Sequence, residues 1–360
     1  MHFLKRTIRR PGNLAMASTE TAPEALHLPR GGSVWVVLGG VLLVAMTVSA
    51  MLGSFVIAPD EVIASVLRRV GIVGGEPVLA DAVLWGIRLP RIVLGAVAGA
   101  GLAAAGAVLQ GVFRNGLADP HLLGIGPGAA LFAAAGAATA GGSAALVAGT
   151  VGGTATGLLL LRLGRRTTGA DPTRLVLIGV ALGATLVACT GFVVFGADST
   201  RVPPVEFWLL GSVAGSTWGV TVVAALVVVA GIVGLVRGSA VLDLLLLGST
   251  EARHLGLDVA VAMRLILATV GAMVGVAVGA VGVISFVGLV GPHSVRRLTG
   301  VGRRQLIPAT AVAGAIFVVV ADLVARTVIA PAELPVGLIT ALVGGPLLLA
   351  LLVRRGGLRS

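Results

Sequence analysis

Ten apolar runs with almost no charge inside them restrict this chain more than any other feature. They cover about 34–58, 92–112, 122–140, 143–161, 174–196, 217–236, 260–281, 283–295, 306–321 and 335–353. A helix needs roughly 20 apolar residues to cross the hydrocarbon core of a bilayer, and most of these runs are that long. Only 11% of the 360 residues are charged and 57% are hydrophobic, whereas soluble domains carry about 25% charged residues. A chain so poor in charge cannot clothe itself for water and must sit in lipid, with its backbone satisfied inside helices. The expected fold is an all-α polytopic membrane protein of about ten transmembrane helices, with 283–295 the shortest.

The net charge of +11 forms no basic face and no aromatic stacking platform, so nucleic acid is not the expected partner. It lies in the loops. With the N-terminus placed inside, Arg68, Arg69, Arg88, Arg91, Arg201 and Arg326 fall outside and the other twenty of 26 basic residues fall inside. That asymmetry predicts a multi-pass protein of the cell membrane with both termini cytoplasmic. Residues 1–33 read as a cytoplasmic arm and 34–360 as the transmembrane domain. The first apolar run is too long for a signal-peptide core and has no small-x-small cleavage site. Cys189, the one cysteine, lies in an apolar run, which predicts a free buried thiol and no disulfide framework.

Catalytic signatures do not appear. Lys5 is the only lysine, so the chain cannot form a Walker A loop, whose lysine reaches the phosphates. No metal site is expected; His293 stands alone between Pro292 and Arg296. Nor does the sequence suggest an ion-coupled transporter, the alternative class. Those proteins place acids or broken helices near mid-membrane, and here the acids fall at span ends or in loops.

Five stretches stand out. The loop at about 237–259 holds D-L-L-L-L-G-S-T-E-A-R-H-L-G-L-D at 243–258. It is too apolar for a linker and too charged to span. It reads as one or two short helices on the membrane surface, with Ser249 or Thr250 as a cap and Gly256 as a stop. It either offers an apolar knob to another protein or is a plain connector. Arg88-Leu-Pro-Arg91 precedes the second span on the outside; its two forks suit carboxylates of a partner, or anchor the helix end at the headgroups. Asp322 and Arg326 are spaced for a local ion pair, unless Arg326 joins the same surface. Gln110, Asn115-Gly116 and Asp119-Pro120 mark a turn and the following helix start. Pro292 is expected to end or kink a helix. Gly271, Gly275 and Gly279 form a small-residue stripe, as do Gly95 and Gly99, allowing close helix contact in lipid.

From about Arg88 to the C-terminus these stretches resemble the FecCD/BtuC-type permease subunits of ABC importers for iron–siderophores, haem and cobalamin. The resemblance is carried in order by R-L-P-R at 88–91, Gln110 with N-G-L-A-D-P at 115–120, L-G-S-T-E-A-R-H-L-G at 247–256 and V-I-S-F-V-G-L-V-G-P-H at 283–293. Asp322 with Arg326 and E-L-P-V-G at 333–337 complete it. Two departures are Gly116, where the family usually has proline, and Asp243, where asparagine is common. The resemblance implies a BtuC-like fold and no catalytic residues. It implies a homodimer or paralogous heterodimer of permeases, two cytoplasmic ATPase subunits that hold ATP and magnesium, and an extracytoplasmic substrate-binding protein. No cofactor is implied for this chain. Leu247, Gly248, Ser249, Glu251, Ala252, Arg253, Leu255 and Gly256 would form the coupling element on the ATPase. Arg88, Arg91 and Arg326 would face acidic residues of the binding protein, and Gln110, Asn115, Asp119 and Pro120 would form the inner turn. The implied function is a translocation pathway, for ferric siderophores first, with haem or cobalamin as alternatives.

Overall fold

A computed structural model describes residues 32–53, 55–74, 76, 78–165, 172–198, 200, 202–298 and 303–356. Most of the arm expected over 1–33 therefore lies outside the described residues. Each of the ten apolar runs contains a helix: α1 (Gly32–Met51), α4 (Leu89–Val112), α5 (Ile125–Ala140), α6 (Gly142–Arg165), α7 (Pro172–Gly196), α9 (Trp218–Arg237), α12 (Val259–Val281), α13 (Val287–Leu298), α14 (Arg303–Thr327) and α15 (Val336–Gly356). Five short helices join them: α2 (Pro59–Arg69), α3 (Leu79–Val83), α8 (Val205–Leu210), α10 (Ser239–Leu247) and α11 (Ser249–His254). Among the described residues there is no strand. Among the described residues seven helices are long and apolar enough to cross a membrane, and α5 and α15 are shorter apolar helices. The 12 residues of α13 rise only about 18 Å at 1.5 Å per residue, too little to span by themselves.

Glycine decides which helices touch. α6 lies along α12, and the expected stripe on α12 meets a matching one on α6. A Cβ on Gly271 would stand 2.6 Å from the Gly153 carbonyl oxygen, and one on Gly279 2.7 Å from that of Ala145. A Cβ on Gly275 would be driven into the Gly149 carbonyl. In lipid, where tails are as apolar as side chains, such close approach is the main source of attraction between helices. Gly99 of α4 plays the same part against Gly314 of α14, and Gly106 against Gly288 of α13. The other stripe residue, Gly95, faces Val318 and Val213 at ordinary contact distance. α4 is the most enclosed span, while α1 and α7 leave most of their surface bare. Cys189 is accordingly exposed, against the buried thiol expected, because an apolar run on a peripheral helix faces lipid as readily as protein.

Prolines shape the backbone where the sequence places them. α3 continues into α4 through a π-helical turn at Leu84–Arg88, in which the Leu89 N–H donates to the Leu84 carbonyl five residues back. Pro90 has no N–H for the Gly86 carbonyl, and a π turn is one way a helix absorbs that missing bond. Pro292 neither ends nor interrupts α13. It deprives the Gly288 carbonyl of its donor, and Gln110 of α4 supplies the substitute, Nε2 to O at 3.0 Å.

Two bends support each other between α8 and α13. The Ser212 N–H donates to the Val281 carbonyl at 2.8 Å, and the Val283 N–H to the Trp208 carbonyl at 3.2 Å. Irregular backbone at membrane depth is stable only when protein surrounds it, and Trp208, Val213, Ile284 and Val287 are all buried. The first apolar run departs from expectation: its helix ends at Met51, and Leu52, Gly53 and residues 55–58 lie outside any helix before α2 begins at Pro59.

Candidate functional sites at the two ends

At one end of the bundle α10 lies half-buried against it while α11 is mostly exposed. α11 is capped by Gly248 with no side-chain bond, not by Ser249 or Thr250; Ser249 is the first helical residue, and its carbonyl accepts from Arg253 Nε at 2.9 Å. The stop at Gly256 is as expected. Gly256 has φ +87°, its N–H donates to the Arg253 carbonyl at 2.9 Å and the Leu257 N–H to the Ala252 carbonyl at 3.0 Å. That pair of bonds is the Schellman closure, which favours glycine at the left-handed position. Asp258 then caps α12 by accepting from the N–H groups of Ala260 (2.9 Å) and Val261 (3.0 Å).

The leucines of this loop divide. Leu245 and Ala252 are buried against the bundle, whereas Leu247 and Leu255 are 56% and 61% exposed. Glu251, Arg253, His254 and Gly256 are exposed around them. The result is a greasy knob with a charged rim, held to the bundle from beneath. Arg114, in a left-handed conformation at φ 49°, brings its Nη2 within 3.4 Å of the Leu245 carbonyl.

The inner turn lies beside it. The Ala118 N–H closes a turn on the Asn115 carbonyl at 3.0 Å, with Gly116 inside it, and Asn115 Oδ1 accepts from the Leu117 N–H at 2.9 Å. Asp119 is buried, and its Oδ1 accepts from the N–H groups of His121 (2.8 Å) and Leu122 (3.4 Å). These bonds brace a turn over 120–124, so α5 begins at Ile125, later than the Asp-Pro pair suggests. Burial pushes the His121 imidazole below its ordinary pKa, with the Asp119 carboxylate opposing. The net direction favours a neutral ring.

At the opposite end stand the three arginines, and here the structure changes the picture. From sequence they are forks for a partner or anchors at the headgroups, with Arg326 open to a local pair; Arg88, Arg91 and Arg326 are only 4%, 8% and 4% exposed. Arg91 holds Asp322 in two parallel bonds, Nε to Oδ2 at 3.1 Å and Nη2 to Oδ1 at 2.8 Å. Its Nη1 reaches both oxygens of Glu333, at 3.0 and 2.8 Å. Arg88 has backbone carbonyls for partners: Ala50 at 2.6 Å, Met51 at 3.0 Å, and Phe55. Arg326 donates to the Ser49 carbonyl and, at 2.6 Å, to Ser49 Oγ. Its Nε lies 3.6 Å from Asp322, so the expected i,i+4 pair is present as one edge of a larger cluster. Arg91 and Arg326 thus share Asp322, Arg91 alone also holds Glu333, and with Arg88 on its backbone carbonyls the three tie α1, α4 and α14 together. Glu333 is the outermost member, with 37% of its side chain exposed. Sequence spacing revealed the arginines but not Glu333 or Ser49, which are brought in from 242 and 277 positions away.

A bundle of apolar spans, with a two-helix knob at one end and a partly neutralised arginine cluster at the other, defines a multi-pass membrane protein. The family model described as the FecCD transport family matches residues 41–354, and the chain belongs to that family. It is 38% identical over 286 residues to the hemin transport system permease protein HmuU of Yersinia pestis, covering 77% of this chain and 85% of that one. Over 290 residues it is 41% identical to the cobalamin import system permease protein BtuC of Halobacterium salinarum, covering 77% and 75%. Over 323 residues it is 36% identical to the Fe(3+)-citrate import system permease protein YfmE of Bacillus subtilis, covering 88% and 93%. A solved structure described as an inward-facing conformation of a metal-chelate type ABC transporter superposes with a TM-score of 0.73 at 28% identity. It covers 89% of this chain and 98% of that one. The protein is therefore an ABC importer permease. That assignment replaces the ion-coupled alternative.

Proposed function

We propose that the chain forms half of an import pathway for ferric chelates, siderophores first, and that a separate ATPase drives it. The observation that carries this reading is the pairing of a bare leucine knob with a family whose permeases serve ABC importers. Leu247 and Leu255, rimmed by Glu251 and Arg253, would seat in a groove of a cytoplasmic ATPase subunit. ATP and magnesium would be held there and not in this chain. The mates would be a second permease subunit, a copy or a paralogue, two ATPase subunits and a substrate-binding protein outside. The knob end would face the cytoplasm, with both termini on that side of the cell membrane.

The binding protein would dock over the Arg88–Arg91–Arg326 cluster. The carboxylates that contact these arginines internally leave one positive charge in surplus, which suits an acidic partner. An iron chelate is favoured as cargo by the Fe(3+)-citrate relative, which is matched over the longest stretch of the three, and by the metal-chelate transporter structure. The haem and cobalamin permeases, at 38% and 41% identity against 36% for the Fe(3+)-citrate relative, favour those cargoes as the second reading. The test is uptake by the reconstituted complex with labelled ferric siderophores, haem and cobalamin side by side. ATP-dependent accumulation of a ferric siderophore is expected, and accumulation of haem or cobalamin alone would overturn the cargo assignment.

A further inference from the structure

α2 faces the wrong way for a helix that belongs to the protein core. Pro59, Ile63, Val66 and Val70 recur at the spacing of one helical face, and all four are exposed, Ile63 and Val70 by 61% and 62%. The polar side is the one turned to the chain. Ser65 is buried and accepts from Trp85 Nε1 at 3.0 Å. Arg68 forms a two-bond ion pair with Asp81 at 3.0 and 2.8 Å, which holds its guanidinium pKa above the ordinary value. The Arg69 guanidinium lies 5.5 Å over the Trp85 ring. The apolar stripe continues past the helix end into Ile72 and Val73, both exposed.

The tryptophans fix the depth of this helix. Trp218 Nε1 donates to the Trp85 carbonyl at 2.9 Å, so the first residue of α9 and the π turn before α4 meet at one level. Tryptophan at the ends of spans marks the headgroup layer, and α2 is attached to that level through Ser65 and Arg69. On the same continuous helix as Trp85, Leu79 and Ile87 are 68% and 60% exposed, so lipid-facing surface runs directly up to α2. The stripe itself is aliphatic. It lacks the aromatic, Met and Arg anchors that concentrate at the centres of protein interfaces.

We propose that α2 is a monotopic helix seated in the leaflet at the arginine end, its Pro59–Ile63–Val66–Val70 stripe among the upper acyl chains. Helices with a polar face and a bulky apolar face take up that position. The occupant is phospholipid, not a second copy of the chain and not the binding protein. The seat bears on the arginine cluster, because the end of α1 and the short connection to α2 supply the Ala50, Met51 and Phe55 carbonyls that hold Arg88.

The full chain carrying Cys189→Ser is reconstituted in phosphatidylcholine nanodiscs, and a fluorophore is placed in turn at Asp60→Cys, Ile63→Cys, Val66→Cys and Val70→Cys. Labels at 63, 66 and 70 should emit to the blue and lose intensity when the lipid carries brominated acyl chains. The label at 60 should respond instead to aqueous iodide. Iodide quenching at all four positions overturns the proposal. So does silence to both quenchers, which would mean a protein surface, or shielding that appears only when a binding protein is added. In the unmodified chain a diazirine-bearing phosphatidylcholine should leave adducts within 59–70. Adducts on α1 with none on that segment would equally overturn it.

Discussion

Replacing Asp322 by alanine should be among the most damaging single changes in the chain, though it removes only three atoms of a carboxylate and touches no cargo. Asp322 is 4% exposed in its side chain and is gripped by Arg91 at 2.8 Å, with Arg326 3.6 Å away. Its loss leaves two buried guanidinium groups short of an anion, and breaking a buried pair in this way costs about 3–5 kcal/mol. Glu333 provides the internal control. It binds the same arginine at the same 2.8 Å but is 37% exposed, so its pair is largely screened and Glu333→Ala should cost about 0–1 kcal/mol. The measurement is reversible unfolding in mixed micelles followed by circular dichroism for both variants, with Arg91→Leu and Arg91→Leu/Asp322→Ala completing a cycle. The double variant should be milder than the sum of its singles by about 1–3 kcal/mol. If Asp322→Ala and Glu333→Ala differ by less than about 1 kcal/mol, below the gap between buried and exposed pairs, the reasoning from burial fails.

Three further outcomes are expected. Gly275→Leu should cost at least about 1–3 kcal/mol in the same unfolding assay, because overpacking at this position forces α12 off the Gly149 carbonyl of α6; wild-type stability would refute the contact. Glu333→Gln should tighten docking of the binding protein about two- to fivefold in a pull-down at moderate salt, the worth of freeing one exposed pair. Unchanged or weaker docking would remove Glu333 as a competitor for Arg91. Gly256→Trp has open space around it but sits at φ +87°, so it should strain the turn by about 1–2 kcal/mol. It and Glu251→Arg should abolish ATP-driven uptake while leaving the helical content intact; normal uptake by either would refute the coupling surface.

The membrane-crossing part of this fold was legible in the sequence because a span is a local property. Each apolar run acquired its helix, and the glycine stripe on α12 was readable from its four-residue period, as was the stop at Gly256. What escaped depended on partners far along the chain. Arg88 and Arg91 looked outward-facing because spacing cannot show that the carbonyls of 50–55 and the carboxylates of Asp322 and Glu333 reach them. Pro292 looked like a helix end or a kink because nothing nearby reveals that Gln110 rescues the Gly288 carbonyl. α3 and α8 were missed because they are too short to show a period above the apolar background, and α2, whose stripe does recur at helical spacing, lies outside the long apolar runs that mark spans. The connection after α1 was absorbed into the first run because Phe55, Val56 and Ile57 are as apolar as the helix before them.

The glycine contacts between α6 and α12 carry a mechanical consequence. Where backbones touch directly, there are no side chains to switch rotamer and let one helix ratchet past the other, so Gly149, Gly153, Gly271 and Gly275 rivet the two into a single beam. Any rearrangement that opens a passage must pivot this beam whole. One end of that beam is Asp258, the cap one turn beyond the leucine knob, so a push delivered there would be felt along the full 23 residues of α12.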